Sequence, residues 1–233
     1  MIEKGNKKMQ VKMDMNEAMR ARHSVRAYEQ RGLDGEAKDV LEGRIAELNA
    51  QSGLHIQLIT GEPKAFDGPM AHYGKFSGVT DYIAMIGKKG ADLEEKCGYY
   101  GEKLVLLAQQ LGLNTCWVAM TYRRIKTAYK LDAGEKLCIV IAIGYGKTQG
   151  VPHKSKTPLE VADMSGDVPE WFKKGVEAAL LAPTAVNQQK FYFALADGKV
   201  SAKAGRGFYS RIDLGIAKCH FELGAGKENF SWA

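Results

Sequence analysis

The chain has 233 residues, of which 45% are hydrophobic, and its 33 basic and 27 acidic side chains give a formal net charge of +6. A chain of this length and composition can bury a sizeable core, which excludes a disordered protein and a mini-protein. The basic excess is spread along the chain without the dense basic stripe and interleaved aromatics typical of nucleic-acid binding, so it favours a small anionic ligand.

The cysteines and the apolar segments indicate in which compartment the protein works. The four cysteines show none of the two-residue spacing that zinc sites and redox pairs use, so we expect reduced thiols and no metal site. Residues 1–12 are charged throughout and lack the apolar core of a signal peptide. No segment has the unbroken apolar length that spans a bilayer, and these features together predict a cytoplasmic protein without a membrane partner.

The first predicted element is a helix that begins after Asp14, where Glu17 can complete a capping box. It leads into the basic segment, residues 22–26, with the sequence Arg-His-Ser-Val-Arg. In an extended chain Arg22, Ser24 and Arg26 point to one side, because successive side chains alternate. This arrangement predicts a site for a phosphate-sized anion. The alternative is a solvated basic helix end, at which the arginines meet only the helix dipole.

Two helices and four extended segments are predicted after the basic segment. Apolar residues at helical spacing predict helices over 34–48 and 92–111, and we expect the second in the middle of the core. Extended segments are predicted at 54–60, 82–87, 114–120 and 137–144. A Gly- and Pro-containing stretch at 61–78 predicts an irregular flap, and the polar, Lys-rich run 150–158 resembles a linker.

The pattern starts afresh at Pro169. We predict a helix over 171–181, a turn over 183–189, a strand over 191–195 and a helix over 211–224. Asp197-Gly198 predicts a hairpin turn that joins the strand to 199–204. The two halves echo each other in topology, since each contains a helix that ends in a Gly-containing segment.

Four stretches carry candidate binding residues: the basic segment, Leu111-Gly112-Leu113-Asn114-Thr115-Cys116-Trp117-Val118, Lys154-Ser155-Lys156, and Pro183-Thr184-Ala185-Val186-Asn187-Gln188-Gln189. Each also has a plain structural reading, as core around Trp117, a solvated linker at the lysines, and a polar cap at the last turn. Together, across residues 14–226, they resemble the FMN-dependent nitroreductase family, in its branch with two non-identical halves.

The resemblance implies an α+β, nitroreductase-like fold with a central mixed, mainly antiparallel sheet flanked by helices and two pseudo-symmetric halves. We expect one domain over 1–233, with halves at 14–150 and 166–233 joined by a Lys-rich connection at 151–165. The Pro-containing turn comes last here, whereas it comes earlier in the common family pattern. This order suggests that one chain supplies both sides of a flavin site, as a monomeric pseudo-dimer, with a homodimer as the alternative.

The resemblance also implies an FMN site. FMN presents a phosphate of about −1.5 to −2 charge at neutral pH and a planar, mostly apolar ring with polar edges. Arginines and lysines would neutralise the phosphate, Ser24 would add a hydroxyl, and the amides of Asn187 and Gln189 would suit the pyrimidine edge. The residues expected at the cofactor are Arg22, His23, Ser24, Arg26, Val118, Ala119, Lys154, Lys156, Pro183, Thr184, Ala185, Asn187 and Gln189.

The implied activity is hydride transfer from NADH or NADPH through the flavin to a nitroaromatic, a quinone or a similar small electrophile, by a ping-pong mechanism. In such chemistry the protein orients the reactants and stabilises charge, so we predict no catalytic side chain. The resemblance also implies that Arg22 or Lys154 stabilises the reduced flavin. One alternative is a flavin-binding protein without turnover. The other is a dehalogenase or a flavin-processing enzyme on the same fold.

Overall fold

The computed structural model describes residues 13–233, and within this range the chain forms seven helices and seven strands. The helices are α1 (Met15–Ala21), α2 (Gly35–Ser52), α3 (Pro69–Tyr73), α4 (Leu93–Gln110), α5 (Pro158–Val161), α6 (Glu170–Ala179) and α7 (Ser210–Ala225). The strands are β1 (Gln57–Ile59), β2 (Asp81–Lys88), β3 (Asn114–Val118), β4 (Glu135–Gly144), β5 (Phe191–Ala196), β6 (Lys199–Ala204) and β7 (Ser231–Trp232). None of these helices combines the length and the apolar character that a bilayer-spanning segment needs.

The first sheet contains four antiparallel strands in the order β1-β2-β4-β3. β2 lies inside this sheet, and every one of its residues except Lys88 is buried. Burial on both faces explains why its sequence is an apolar run rather than an alternating pattern. Of the strand predicted over 54–60, Gln57–Ile59 forms a ladder with β2, and the His55 amide donates to the carbonyl oxygen of Ile86 at 2.8 Å.

The basic segment extends this sheet at its β3 edge. The predicted capping box is confirmed, because the amide of Glu17 donates to Asp14 and the amide of Asp14 donates to Glu17. The chain leaves α1 in an extended conformation, and Ser24 then forms a parallel bridge with Thr115 of β3. The extended conformation predicted for the basic segment is therefore present.

The second sheet comes from the last part of the chain. β5 and β6 form an antiparallel hairpin around Asp197 and Gly198, both of which have left-handed backbone angles, as a two-residue hairpin turn requires. β7 pairs with β6 in parallel and was not predicted, because a two-residue strand carries no periodic signal. Ala162 bridges to Phe193 of β5 and so ties the end of the connection to this sheet.

Helices α4 and α7 lie side by side in the core. At their contact, a Cβ atom on Gly98 would collide with the carbonyl oxygen of Ile212, and one on Gly215 would collide with the carbonyl oxygen of Glu95. Only glycine allows two helix backbones to approach so closely. The position of α7, and of every residue in its first turn, therefore follows from this contact.

The flap at 61–78 is more ordered than the predicted irregular stretch. It contains a 3₁₀ turn at Pro63–Ala65 and helix α3. Phe66 and Phe76 are buried with ring centroids 5.3 Å apart, in an apolar cluster that includes residues of β2 and β4. The flap prediction was incomplete because these aromatic contacts are tertiary.

Candidate functional site

Two cavities meet where the basic segment approaches the turn 183–189. The basic cavity has a volume of about 330 Å³ and is lined by Arg22, His23, Ser24, Arg26, Val151, Pro152, His153, Pro183, Thr184, Val186 and Asn187. The apolar cavity has a volume of about 260 Å³ and is lined by Ser24, Arg26, Cys116, Trp117, Ala119, Met120, Thr121, Ile139, Pro183, Thr184, Ala185, Val186, Phe208, Tyr209, Ile212, Asp213 and Ile216.

The two cavities lie side by side, and together they are called the cleft. Five residues line both of them, namely Ser24, Arg26, Pro183, Thr184 and Val186. One end of the cleft carries two arginines, and the other end is walled by indole, phenol and aliphatic side chains. Such a cleft can take a ligand that has an anionic group at one end and a flat apolar body at the other.

Arg22 is the most deeply buried cation of the cleft, with 4% of its surface exposed. Its Nε atom has no hydrogen-bond partner within residues 13–233, and it lies 3.8 Å from Oε1 of Glu102. Burial lowers the pKa of the Arg22 guanidinium, and the Glu102 carboxylate acts in the opposite direction. A buried cation with an unsatisfied donor beside a cavity is suited to an anionic ligand.

The structure brings the other members of the basic segment to the same cavity. His23, Ser24 and Arg26 all border it, and the Arg26 side chain is exposed. The pKa of His23 is lowered chiefly by burial, and then by the charge of Arg22 and by His153. These surroundings therefore favour the neutral form of His23.

The predicted lysines do not line either cavity. The Lys154 side chain is exposed, and the Lys156 ammonium donates to the carbonyl oxygen of Gln189 at 3.2 Å. The residues of the 150–158 run that border the basic cavity are Val151, Pro152 and His153. Nε2 of His153 lies 2.9 Å from the carbonyl oxygen of Leu180. The linker reading of 150–158 is too simple, because the run packs against the end of α6 and the turn.

The side-chain amides of Asn187 and Gln189, which we predict at the cofactor, mainly hold the turn 183–189 against the 154–156 backbone. Nδ2 of Asn187 and Nε2 of Gln189 both donate to the carbonyl oxygen of Lys154, each at 2.9 Å. Oε1 of Gln189 accepts from the Lys156 amide, and the Gln189 side chain is buried outside both cavities. Asn187 borders the basic cavity, so it lies near a ligand there, whereas the polar groups of Gln189 are already engaged.

The remaining predicted residues divide between the cleft and the core. Pro183 and Thr184 border both cavities, and Ala119 and Ala185 border the apolar cavity. Val118 is buried in β3 opposite Val140 and does not line the cleft.

Trp117, which the sequence predicts to lie in the core, is packed and also borders the cleft. Its Nε1 donates to Oε2 of Glu102 at 2.9 Å while its ring borders the apolar cavity. Glu102 also lies 2.9 Å from Nε2 of His220, so this buried carboxylate fixes the indole from behind. Cys116 borders the same cavity, and burial raises the pKa of its thiol, which keeps it protonated and poorly nucleophilic.

Sequence reasoning missed Asp213 and Tyr209, which border the apolar cavity from the start of α7. Asp213 is buried, and its carboxylate accepts hydrogen bonds from the Ala185 amide and the Gln188 side chain. The available signal is an acidic residue between two apolar residues, Ile212 and Leu214, at the start of the last predicted helix. Tyr209 has a left-handed backbone before α7, and no local pattern indicates that conformation.

Comparison with known proteins gives a family and a fold. The profile of the family described as "Putative TM nitroreductase" matches residues 14–225. A solved structure from Thermotoga maritima, described as a "putative nitroreductase", is 24% identical with a TM-score of 0.64, over 94% of this chain and 87% of that one. At this identity the likeness shows the fold.

Two other solved structures cover less of the chain. A "Putative NADH dehydrogenase/NAD(P)H nitroreductase" from Parabacteroides distasonis is 20% identical with a TM-score of 0.50, over 65% of this chain and 98% of that one. A "putative nitroreductase in complex with FMN" from Desulfovibrio desulfuricans is 20% identical with a TM-score of 0.48, over 67% of this chain and 99% of that one. The comparison with curated proteins gave no match.

Proposed function

The chain belongs to the nitroreductase family that its sequence matches over residues 14–225, and from this premise we propose that it is an FMN-dependent oxidoreductase. The predicted family and the predicted α+β, nitroreductase-like fold are both confirmed. The proposed reaction takes electrons from NADH or NADPH and delivers them to a nitroaromatic, a quinone or a similar small electrophile. The reducing interior of the cell is the proposed setting, since the four cysteines are free thiols.

The pairing of a basic and an apolar cavity across a shared wall is the observation that carries this proposal. FMN combines a phosphate with a flat, mostly apolar ring, and the cleft combines a basic cavity of about 330 Å³ with an apolar cavity of about 260 Å³. The unsatisfied Nε of Arg22 supports an anionic ligand at the basic end. The residues present therefore fit this cofactor.

The chain's own residues would bind and orient the cofactor. Arg22 and Arg26 would hold the phosphate through charge-assisted hydrogen bonds, and the Ser24 hydroxyl would donate to it. At the apolar end, Trp117, Ile212 and Ile216 would exclude water from the ring. Bound flavin supplies the hydride acceptor and donor, so the protein needs no side chain that forms a covalent intermediate.

The mouth of the apolar cavity supports an aromatic electron acceptor. Three of its lining residues, Met120, Val186 and Phe208, have 67%, 93% and 84% of their surface exposed. Large apolar side chains gathered at the rim of a cavity are typical of a binding site for apolar ligands. A planar electrophile such as a quinone would bury this surface.

FMN titration tests the proposal. We expect protein stripped of flavin to quench FMN fluorescence as it binds. Arg22→Ala should weaken binding by about 1.5–3 kcal/mol, because charge-assisted hydrogen bonds are lost. Arg20→Ala is the matched control, since Arg20 is exposed in the last turn of α1 outside the cleft. Equal affinity for wild type and Arg22→Ala would contradict the phosphate assignment.

Turnover is tested on the same preparation. We expect NADH or NADPH to bleach the bound flavin under anaerobic conditions and a quinone to restore its absorbance. Bound flavin that neither donor bleaches would favour the alternative, a flavin-binding protein without turnover. Failure of wild type to bind FMN would overturn the proposed function itself.

A further inference from the structure

Asp213 is a buried carboxylate that accepts hydrogen bonds from the turn 183–189, and the sequence does not predict it as a site residue. Its side chain is 3% exposed and borders the apolar cavity from the first turn of α7. The Ala185 amide donates to Oδ1 at 3.0 Å and to Oδ2 at 3.2 Å. Nε2 of Gln188 donates to Oδ2 at 2.7 Å and also to the carbonyl oxygen of Phe208 at 2.7 Å.

The turn that Asp213 holds has an unfavourable backbone. Val186, Asn187 and Gln189 have φ angles of 46°, 55° and 46°, in the left-handed region that residues other than glycine rarely adopt. The β-branched Val186 is the least suited of the three, and its side chain is 93% exposed, so side-chain packing does not hold it in place. Such a conformation persists only where surrounding bonds determine it.

These bonds come from two directions. On one side, the Gln189 amide donates to Oγ1 of Thr184 at 3.1 Å, and the side chains of Asn187 and Gln189 bond the 154–156 backbone. On the other side stands Asp213, which receives both the Ala185 amide and the Gln188 side chain. Pro183, Thr184 and Val186 form the wall that the two cavities share, so the position of the turn sets the shape of the cleft.

We propose that Asp213 is a positioning residue whose carboxylate fixes the turn 183–189 in the conformation that binds the cofactor. This inference rests on the proposed function and adds to it a residue that acts through the turn. It assigns the ionised form to the working state, because a carboxylate accepts from both donors at once. A proton on either oxygen of the carboxyl would set a donor against a donor, which is the Gln188 side-chain amide at Oδ2 and the Ala185 amide at Oδ1.

The surroundings of Asp213 favour a change of state in an accessible pH range. Burial raises the pKa of Asp213 to about 6, and the bonds from Gln188 and Ala185 act in the opposite direction. Below this value the group binds a proton, and one of its hydrogen bonds from the turn is weakened or lost. We therefore expect the affinity for the cofactor to fall as the pH falls through about 6.

The other charged groups of α7 and its neighbours have partners other than Asp213. From α4, Glu95 pairs with Lys218 at 2.6 Å, Glu102 faces His220 at 2.9 Å, and the Tyr99 hydroxyl donates to Glu222. Arg211 donates to the carbonyl oxygen of Ala91 at 2.6 Å. From α6, the Lys174 backbone approaches Gly224, at the far end of α7. Arg26 is the other charged side chain that borders the apolar cavity.

The test compares the FMN dissociation constants of wild type and Asp213→Asn at two pH values. We expect the variant to bind about tenfold more weakly at about pH 7.5 and almost equally at about pH 5, where Asp213 of the wild type is itself protonated. The ratio of the two constants removes the titration of the FMN phosphate and of the nearby histidines, because both proteins share them. Asp163→Asn is the matched control, since Asp163 is an exposed carboxylate that bonds only with Ser165, and its ratio should stay near one.

A second measurement decides the inference even without a cofactor. In unliganded wild type, hydrogen exchange of the Ala185 amide should be slow at about pH 7.5, and Asp213→Asn should speed it by about tenfold or more. A ratio of dissociation constants that is equal to one, or that is the same at both pH values, overturns the positioning role. Unchanged exchange in the variant overturns it as well, whereas failure of wild type to bind FMN speaks only against the proposed function.

Discussion

The two arginines of the basic segment occupy different environments although they are four residues apart. Arg22 is buried beside Glu102, and Arg26 is exposed at the junction of the two cavities. A buried arginine is held by its surroundings, so it can present a fixed geometry to an anion, whereas an exposed one must lose side-chain freedom on binding. Lys154 carries the same charge as Arg26 but lies outside the cleft.

Because Arg26 borders the cleft and Lys154 does not, removing one positive charge at each position should affect FMN binding differently. Arg26→Gln should raise the FMN dissociation constant by about tenfold, because it removes a direct charge-assisted contact. Lys154→Gln removes one exposed charge too, but it should change the constant by less than about twofold, since exposed charges at a distance are screened. Fluorescence titration at physiological salt measures both. A larger effect for Lys154→Gln than for Arg26→Gln would support the predicted contact between Lys154 and the phosphate.

At the scale of elements, the packing of α7 against α4 places the apolar cavity. Gly98 and Gly215 bring the two helix backbones together, and the first turn of α7 then delivers Ile212 and Asp213 to the cleft. The opposing atoms are backbone carbonyl oxygens of Glu95 and Ile212, which no side-chain rotation can move aside. A methyl group at this contact would push the helices apart.

We therefore expect Gly98→Ala to lower the free energy of unfolding by at least about 2 kcal/mol, since overpacking of a tight contact is costly. Gly43→Ala is the matched control in α2, because a Cβ there meets no atom within 4 Å. That change should be neutral or stabilise the protein by up to about 1 kcal/mol through helix propensity. Urea unfolding of the flavin-free protein measures both, and equal midpoints would contradict the close helix contact.

At the scale of the whole molecule, the cleft joins two parts of the chain that are remote in sequence. The basic segment belongs to the first half, the turn 183–189 belongs to the second, and both border the basic and the apolar cavity. Both walls of the cleft therefore come from one chain. This arrangement supports the proposal of a pseudo-dimer with halves at 14–150 and 166–233, which stays a prediction together with the oligomeric state.

A pseudo-dimer of this kind should bind one FMN per polypeptide whatever its association state, because the site needs no second copy. Light scattering coupled to flavin absorbance measures the mass and the stoichiometry together. We expect dilution to the monomer to leave the flavin bound. Release of flavin on dissociation would point instead to a site shared between two copies, because a symmetric dimer with shared sites also binds one flavin per chain.

Local patterns determined much of this protein from the sequence alone. The capping box at Asp14, the extended basic segment, the hairpin at Asp197-Gly198 and the central helix α4 were all predicted, because each depends on neighbours within a few residues. The family followed from short motifs spread over the chain, and the family match confirms it.

Only the tertiary structure decided which polar groups face the cleft. It placed Asp213 and His153 there, left Lys154 outside it, and used the Gln189 amide to hold the turn. The physical reason is that a side chain's role depends on its partners, and those of Gln189 and Asp213 lie 33 and 28 residues away in sequence, at Lys156 and Ala185. Hydrophobic periodicity records that a helix or a strand has a buried face, but it does not record what that face meets.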